Sequence, residues 1–214
     1  NNTFTFDDGG FFDGHIVGGA GSGKINTLNY ANYTTTVDFD VTLMGVRTNV
    51  GGATGTRGIL NIQNLIGGFG DDNLVGSIDA NTWDITGSNS GTLNSVITFS
   101  SIENLIGAQD ADDTFIIDGA GGITGSILGN SPGLSTGVDS IQFAAGDSGA
   151  RMTYSATGID SGAIYRGESG FTYSGIESVD DSSTTAARVF TTAESKVTLG
   201  GTPVAAERWT LNVD

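Results

Sequence analysis

A chain of 214 residues with 35 glycines, two prolines and no cysteine has room for one all-β domain or a run of stacked repeats, and it excludes a disulfide framework and a cysteine-ligated zinc site. Eight Lys and Arg stand against 24 Asp and Glu, a net charge of −16, which excludes nucleic acid as a partner because phosphate binding needs clustered cations. Such a surplus of acid fits either solubility in a salty extracellular medium or the binding of a hard cation such as calcium through carboxylate oxygens.

No signal peptide begins at Asn1 and no apolar run approaches the length of a membrane span, so membrane insertion is not expected. A first residue other than Met reads as the mark of a processed or excised piece. The segment 16–25 is a degenerate first copy of a motif found later, aligned by placing Gly18 on Gly67. Next, Val37, Phe39 and Val41 alternate with polar residues as in a half-buried strand.

Residues 62–74 and 102–115 are the same pattern written twice, forty residues apart: Ile62-Gln63-Asn64-Leu65-Ile66-Gly67 against Ile102-Glu103-Asn104-Leu105-Ile106-Gly107. An internal period of this size marks stacked units, each leaving an apolar face that only its neighbour closes. About two coils of roughly twenty residues fit each unit, with glycine or asparagine corners. Ile62 and Leu65 are three apart, which a flat strand would send to opposite faces, so a corner near Asn64 is needed to turn both inward.

Strand-like runs follow at 81–87, 96–99, 123–128, 141–144, 152–156, 164–166 and 171–179, and residues 176–181 are a worn copy of the Ile102 pattern. The chain therefore divides into a stack of degenerate repeats over 1–181 and a linker or cap with the first strand of a following module over 182–214. Trp83, Trp209, Tyr30, Tyr33, Tyr154, Tyr165 and Tyr173 are expected in buried stacking ladders, with a glycan-binding platform as the alternative. The threonines at 34–36, 54 and 56 read as polar positions on an exposed strand.

Gly67-Gly68-Phe69-Gly70-Asp71-Asp72-Asn73-Leu74 fits a calcium-binding nonapeptide, with glycines letting carbonyls converge, an aspartate as hard ligand and Leu74 anchoring the strand. The candidate ligand positions are Gly68, Gly70, Asp71 and Asp72, and in the second copy Asp110, Asp112 and Asp113. Solvated turn aspartates are the plainer reading of the same residues. On these motifs, and on the Asn81–Leu93 run, the chain resembles the large repetitive RTX-like proteins of bacterial surfaces and secretions. The resemblance implies a right-handed parallel β-solenoid or β-roll, secretion to the bacterial cell surface, calcium as cofactor and an adhesive or structural role. The partners would be cell-surface or matrix components, glycans or copies of the same chain.

Enzyme chemistry finds little support. The Asp pairs at 71–72, 112–113 and 180–181 lack the Gly-His-Gly and Arg-x-Lys segments of β-helical pectin hydrolases, and His15 has no Ser or Cys dyad in view. Two alternatives to a structural or adhesive segment are a filament subunit joined by strand addition through residues 209–213 and a glycan-binding or glycan-active β-helix.

Overall fold

Short apolar alternations rich in β-branched residues favour extended backbone, and a computed structural model of the chain is all-β, with no helix among the described residues. It describes residues 1–42, 50–109, 111–129, 137–144, 151–181, 187–192 and 208–213. The chain passes back and forth between two sheets. β1 (Thr3–Asp7) lies in the first and β2 (His15–Val17) in the second; β3 (Thr27–Asn32) returns to the first, and β4 (Asp38–Asp40), β5 (Val50–Ala53) and β6 (Gly58–Leu60) form an antiparallel meander in the second. After β7 (Asn64–Ile66) and β8 (Asn73–Val75), a second meander of β9 (Thr82–Gly87), β10 (Ser90–Leu93) and β11 (Ile97–Ser100) lies in the first sheet.

β12 (Asn104–Ile106), β13 (Thr114–Ile117), β14 (Ser126–Leu128) and β15 (Ser140–Phe143) alternate singly between the sheets. A third meander, β16 (Met152–Gly158), β17 (Ser161–Arg166) and β18 (Ser169–Ser174), is again in the second. β19 (Ser178–Asp181) closes the first sheet, and β20 (Ala187–Thr192) and β21 (Arg208–Val213) extend the second past residue 181. The result is a nine-stranded sheet, β1-β3-β7-β11-β10-β9-β13-β15-β19, and a twelve-stranded sheet, β2-β6-β5-β4-β8-β12-β14-β18-β17-β16-β20-β21. Residues 137–144 and 151–171 continue these two sheets and build no separate sandwich.

Successive circuits pair in parallel, as the repeat implies, but the meanders make both sheets mixed. Each meander runs backwards. Its first strand pairs with the following circuit (β4 with β8, β9 with β13, β16 with β20) and its last with the preceding one (β6 with β2, β11 with β7, β18 with β14).

The core lies between the sheets and is built from in-register apolar rows. Leu28, Leu65 and Phe99 stack along the first sheet, and Phe39, Leu74, Leu105 and Ile127 along the second, all essentially without solvent contact. Ile62 and Leu65 are both buried, as are Ile102 and Leu105. The turning residue is one earlier than Ile62 and Ile102: Asn61 and Ser101 take the left-handed conformation, with φ of 55° and 53°. Tyr30, Tyr33, Trp83 and Tyr154 are buried among aromatic neighbours, with Trp83 stacked on Phe115 at 5.5 Å and Tyr30 on Phe6 at 4.9 Å, whereas Tyr165 is exposed, Tyr173 is half-buried and the side chain of Trp209 lies outside those described. The threonines differ from expectation, because 34–36 lie in the crossing between β3 and β4, and 54 and 56 in the β5–β6 turn. His15 is exposed on β2.

Trp83 is fully buried, yet its indole N–H has no hydrogen-bond partner. Trp83→Ala is expected to cost about 3–5 kcal/mol through lost packing. Trp83→Phe is expected to cost clearly less, since it also removes an unsatisfied donor. Urea unfolding of the two variants followed by circular dichroism checks the order.

Candidate functional site

At every crossing between the sheets the backbone leaves its ladder, and the N–H groups there need other acceptors. The five buried polar or charged residues among those described, Asn26, Asp72, Asn81, Asp113 and Asp139, all stand at one place: the last residue of a crossing, just before a strand begins. Asp72 shows the arrangement. Its Oδ1 accepts the Val37 N–H of the preceding circuit at 2.7 Å, and its Oδ2 accepts the Gly68 N–H of its own loop at 2.5 Å. Asp113 repeats it, Oδ1 taking the Asn81 N–H at 2.6 Å and Oδ2 the Ala108 N–H at 2.5 Å. Asn26 serves the same place with an amide, accepting the Asn2 N–H and donating to the carbonyls of Gly19 and Asn61.

The backbone N–H of these residues is held in turn by a side chain of the next circuit. Asn26 donates to Gln63 at 2.9 Å, Asp72 to Glu103 at 2.9 Å, Asp113 to Asp139 at 2.7 Å and Asp139 to Glu177 at 2.6 Å. Gln63, Glu103 and Glu177 sit in three closely related corners, Asn61-Ile62-Gln63, Ser101-Ile102-Glu103 and Gly175-Ile176-Glu177. Each corner opens with positive φ, and each follows the last strand of a meander. The doubled sentence of the sequence is thus a meander exit, and the pattern at 176–181 is its third copy.

The two long copies do not stack like on like: the end of the first, β8, pairs with the start of the second, β12. Residues 64–74 run from the first sheet to the second, β7 to β8, whereas residues 104–115 run from the second to the first, β12 to β13. Asp72 and Asp113 therefore lie in crossings of opposite sense. Of the candidate calcium residues, Asp71 and Asp112 are exposed and Asp112 Oδ1 accepts the Val138 N–H at 2.8 Å; Asp110 lies outside the described residues.

Gly68 and Gly70 are needed for a reason other than the backbone freedom expected of them: neither has positive φ. A methyl group on Gly68 would strike the Tyr33 carbonyl oxygen, and one on Gly70 would meet the backbone of Thr35 and Thr36 at 2.7 Å. Gly67, Gly107 and Gly129 are likewise pressed against Asp72, Asp113 and Asp139. Both carboxylate oxygens of Asp72 and of Asp113 are engaged by N–H donors. No group of three or more His, Cys, Asp or Glu that could hold a metal occurs among the described residues. As arranged, these residues do not fit the six or more oxygens of a calcium shell.

Sequence reasoning missed Asn26, Asn81, Asp139, Gln63, Glu103 and Glu177. The available signal was position, a Gly at the end of one strand and an Asn or Asp immediately before the next, shared by Gly18/Asn26, Gly67/Asp72, Gly76/Asn81, Gly107/Asp113 and Gly129/Asp139. No family model matches the chain, and neither a curated protein nor a solved structure matches it.

Burial is the main reason that the carboxyls of Asp72, Glu103 and Asp113 lie above their ordinary range, partly offset by the N–H groups they accept. Asp139 is pushed up to about 7, first by burial and then by the charges of Asp113, Glu177 and Asp112; its Oδ2 has no hydrogen-bond partner. An acid whose folded pKa exceeds its unfolded value binds its proton more tightly when folded. Its stabilisation is full below pH 4 and is lost as pH rises towards 7. Unfolding free energy is therefore expected to fall between about pH 4 and 7. Asp139→Asn keeps the oxygen that serves Asp113 and is expected to flatten that slope and to exceed the wild type in stability at pH 8. Melting both proteins across the pH range tests this, and an unchanged slope in the variant would refute the assignment.

Proposed function

We propose that the chain is a load-bearing segment of a larger extracellular bacterial surface protein, a β-solenoid whose role is structural or adhesive. The observation that carries the reading is the interlocked column of corners, in which side chains of each circuit hold the backbone of the circuit before it. Force along the stack is then opposed by parallel ladders and charge-assisted corner bonds together. The acidic exterior keeps such a surface soluble and self-repelling at physiological salt. In this reading the corner aspartates do with N–H donors what calcium does in nonapeptide rolls, so the metal is dispensable.

Single-molecule pulling of the chain between two marker domains tests the proposal. Stepwise unfolding is expected, with releases of roughly 10 nm for about 30 residues per circuit, at forces unchanged by a chelator. Extension without measurable force would remove the load-bearing role, and loss of force in chelator would restore calcium to it.

A second reading, a filament or matrix subunit, is favoured by the position of β21 at the end of the twelve-stranded sheet, where one side of the strand faces no described neighbour. If copies join there, light scattering should rise with protein concentration, and removal of residues 208–214 should abolish the rise. Equal scattering by the full and shortened chains would exclude this edge.

A further inference from the structure

The two long edges of the stack differ in chemistry. One edge is formed by the crossings from the first sheet to the second and the meander turns beside them, the other by the return crossings. Ten large apolar residues are exposed among those described, and they sort by type: the four aromatic ones, Phe11, Phe12, Phe69 and Tyr165, stand on or beside the outward crossings, and the six aliphatic ones on the return edge. A surface that was merely apolar would mix the two. Ring faces carry a negative quadrupole that aliphatic groups lack.

Three of the rings belong to one patch. The loop that carries Phe69 lies against the β3–β4 crossing, where the Phe69 N–H donates to the Tyr33 carbonyl at 2.8 Å. That crossing is tied in turn to the β1–β2 crossing: the Tyr33 hydroxyl donates to the Gly10 carbonyl at 3.1 Å, and the Thr34 N–H and hydroxyl both donate to Asp8, at 3.1 and 2.8 Å. Three crossings therefore lie side by side. Phe11, Phe12 and Phe69 are 72%, 50% and 80% exposed on the outer two, with exposed Thr34 and Thr35 between them.

Carboxylates surround these rings. Asp8 and Asp71 are exposed on the same two crossings, and the hydrogen bonds from Thr34 hold the Asp8 carboxyl below its ordinary range, so it stays charged. The patch already holds one guanidinium: Arg57, on the β5–β6 turn, pairs with Asp13 beside Phe12, and both side chains are more than half exposed. A planar cation can lie on a ring face while its N–H groups reach a carboxylate, which uses both halves of the patch at once. An uncharged ligand would gain from the rings alone. The net charge of −16 draws cations to the surface as a whole. We propose that this edge is a docking surface for an extended, arginine-rich segment of a partner polypeptide, whose guanidinium groups lie on Phe11, Phe12 and Phe69 and pair with Asp8 and Asp71. The site is independent of the load-bearing role, since it uses exposed side chains of the crossings and none of the buried corner bonds.

The probe is a fluorescein-labelled peptide of alternating Arg and Ala, which presents its arginines on one side when extended. The matching Gln-Ala peptide is the uncharged control, and fluorescence anisotropy is read on the full chain at physiological salt. Saturable binding of the arginine peptide is expected, with none of the control. Replacing the rings together, Phe11→Ser, Phe12→Ser and Phe69→Ser, leaves the charge unchanged and is expected to weaken binding roughly tenfold. Ile78→Ser with Val96→Ser, on the return edge, is expected to leave it as it was. Absence of saturable binding overturns the proposal, as does equal binding by the ring variant or equal weakening by the return-edge variant. Binding of a neutral oligosaccharide such as maltohexaose, but not of the peptide, overturns it and gives the rings to a sugar. If the ring variant loses the wild-type circular dichroism, the wild-type chain is cross-linked to a benzophenone-bearing copy of the peptide instead. Adducts within residues 8–14 and 67–71, read by peptide mass, support the site, and adducts confined to the return edge overturn it.

Discussion

The structure depends on one constraint: a backbone that leaves its sheet at every crossing must still satisfy its buried N–H groups. An isolated solution would use water or local turns at each corner. This chain instead places an Asn or Asp at the end of the crossing and lets its side chain bond to two segments, its own loop and the circuit before. The cost is the desolvation of a carboxylate, visible as pKa values raised at Asp72, Asp113 and Asp139. Desolvation remains affordable where both oxygens receive donors. Asp139, with one oxygen unserved, is the least comfortable member of the column.

The same constraint explains the glycines. A buried carboxylate folded back on its own loop needs the residue at the loop's start to lack a side chain, and Gly67, Gly107 and Gly129 meet that need by close approach and not by unusual dihedrals. The pairing of Gly with Asp or Asn across a crossing is therefore a packing signature. It coincides with the glycine-aspartate spelling of a calcium loop because both arrangements require an anionic oxygen held close to bare backbone.

Much of the fold was legible for physical reasons that survive in any β stack. Alternation placed Val37, Phe39 and Val41 in the core, the nonapeptide pattern placed Leu74 there, and the spacing of Ile62 and Leu65 required a corner. The antiparallel meanders were not legible. Ser88-Asn89 and Asn94-Ser95 are small polar turns that would serve a parallel corner equally well, and strands on the two sheets alternate in the same way, so nothing in residues 62–74 and 102–115 tells which sheet each enters. The candidate site was legible as a pair of acidic loops but not as a column, because Gln63, Glu103 and Glu177 act on residues 31 to 38 positions away and Asp139 on one 26 positions away.

The meanders alternate: second sheet, first sheet, second sheet. Each begins after a single strand whose corner residue is Asn26, Asp72 or Asp139 and ends at the matching Gln63, Glu103 or Glu177. From one meander exit to the next the chain makes an odd number of passages, three (β7, β8, β9–β11) and then five (β12, β13, β14, β15, β16–β18), so two such exit-to-exit units, not one, restore the starting sheet. Parity follows. An odd number of units added or lost would exchange the roles of the two outer faces for everything downstream, while an even number would leave them unchanged, so lengths of such a stack that keep one face aligned are quantised in pairs.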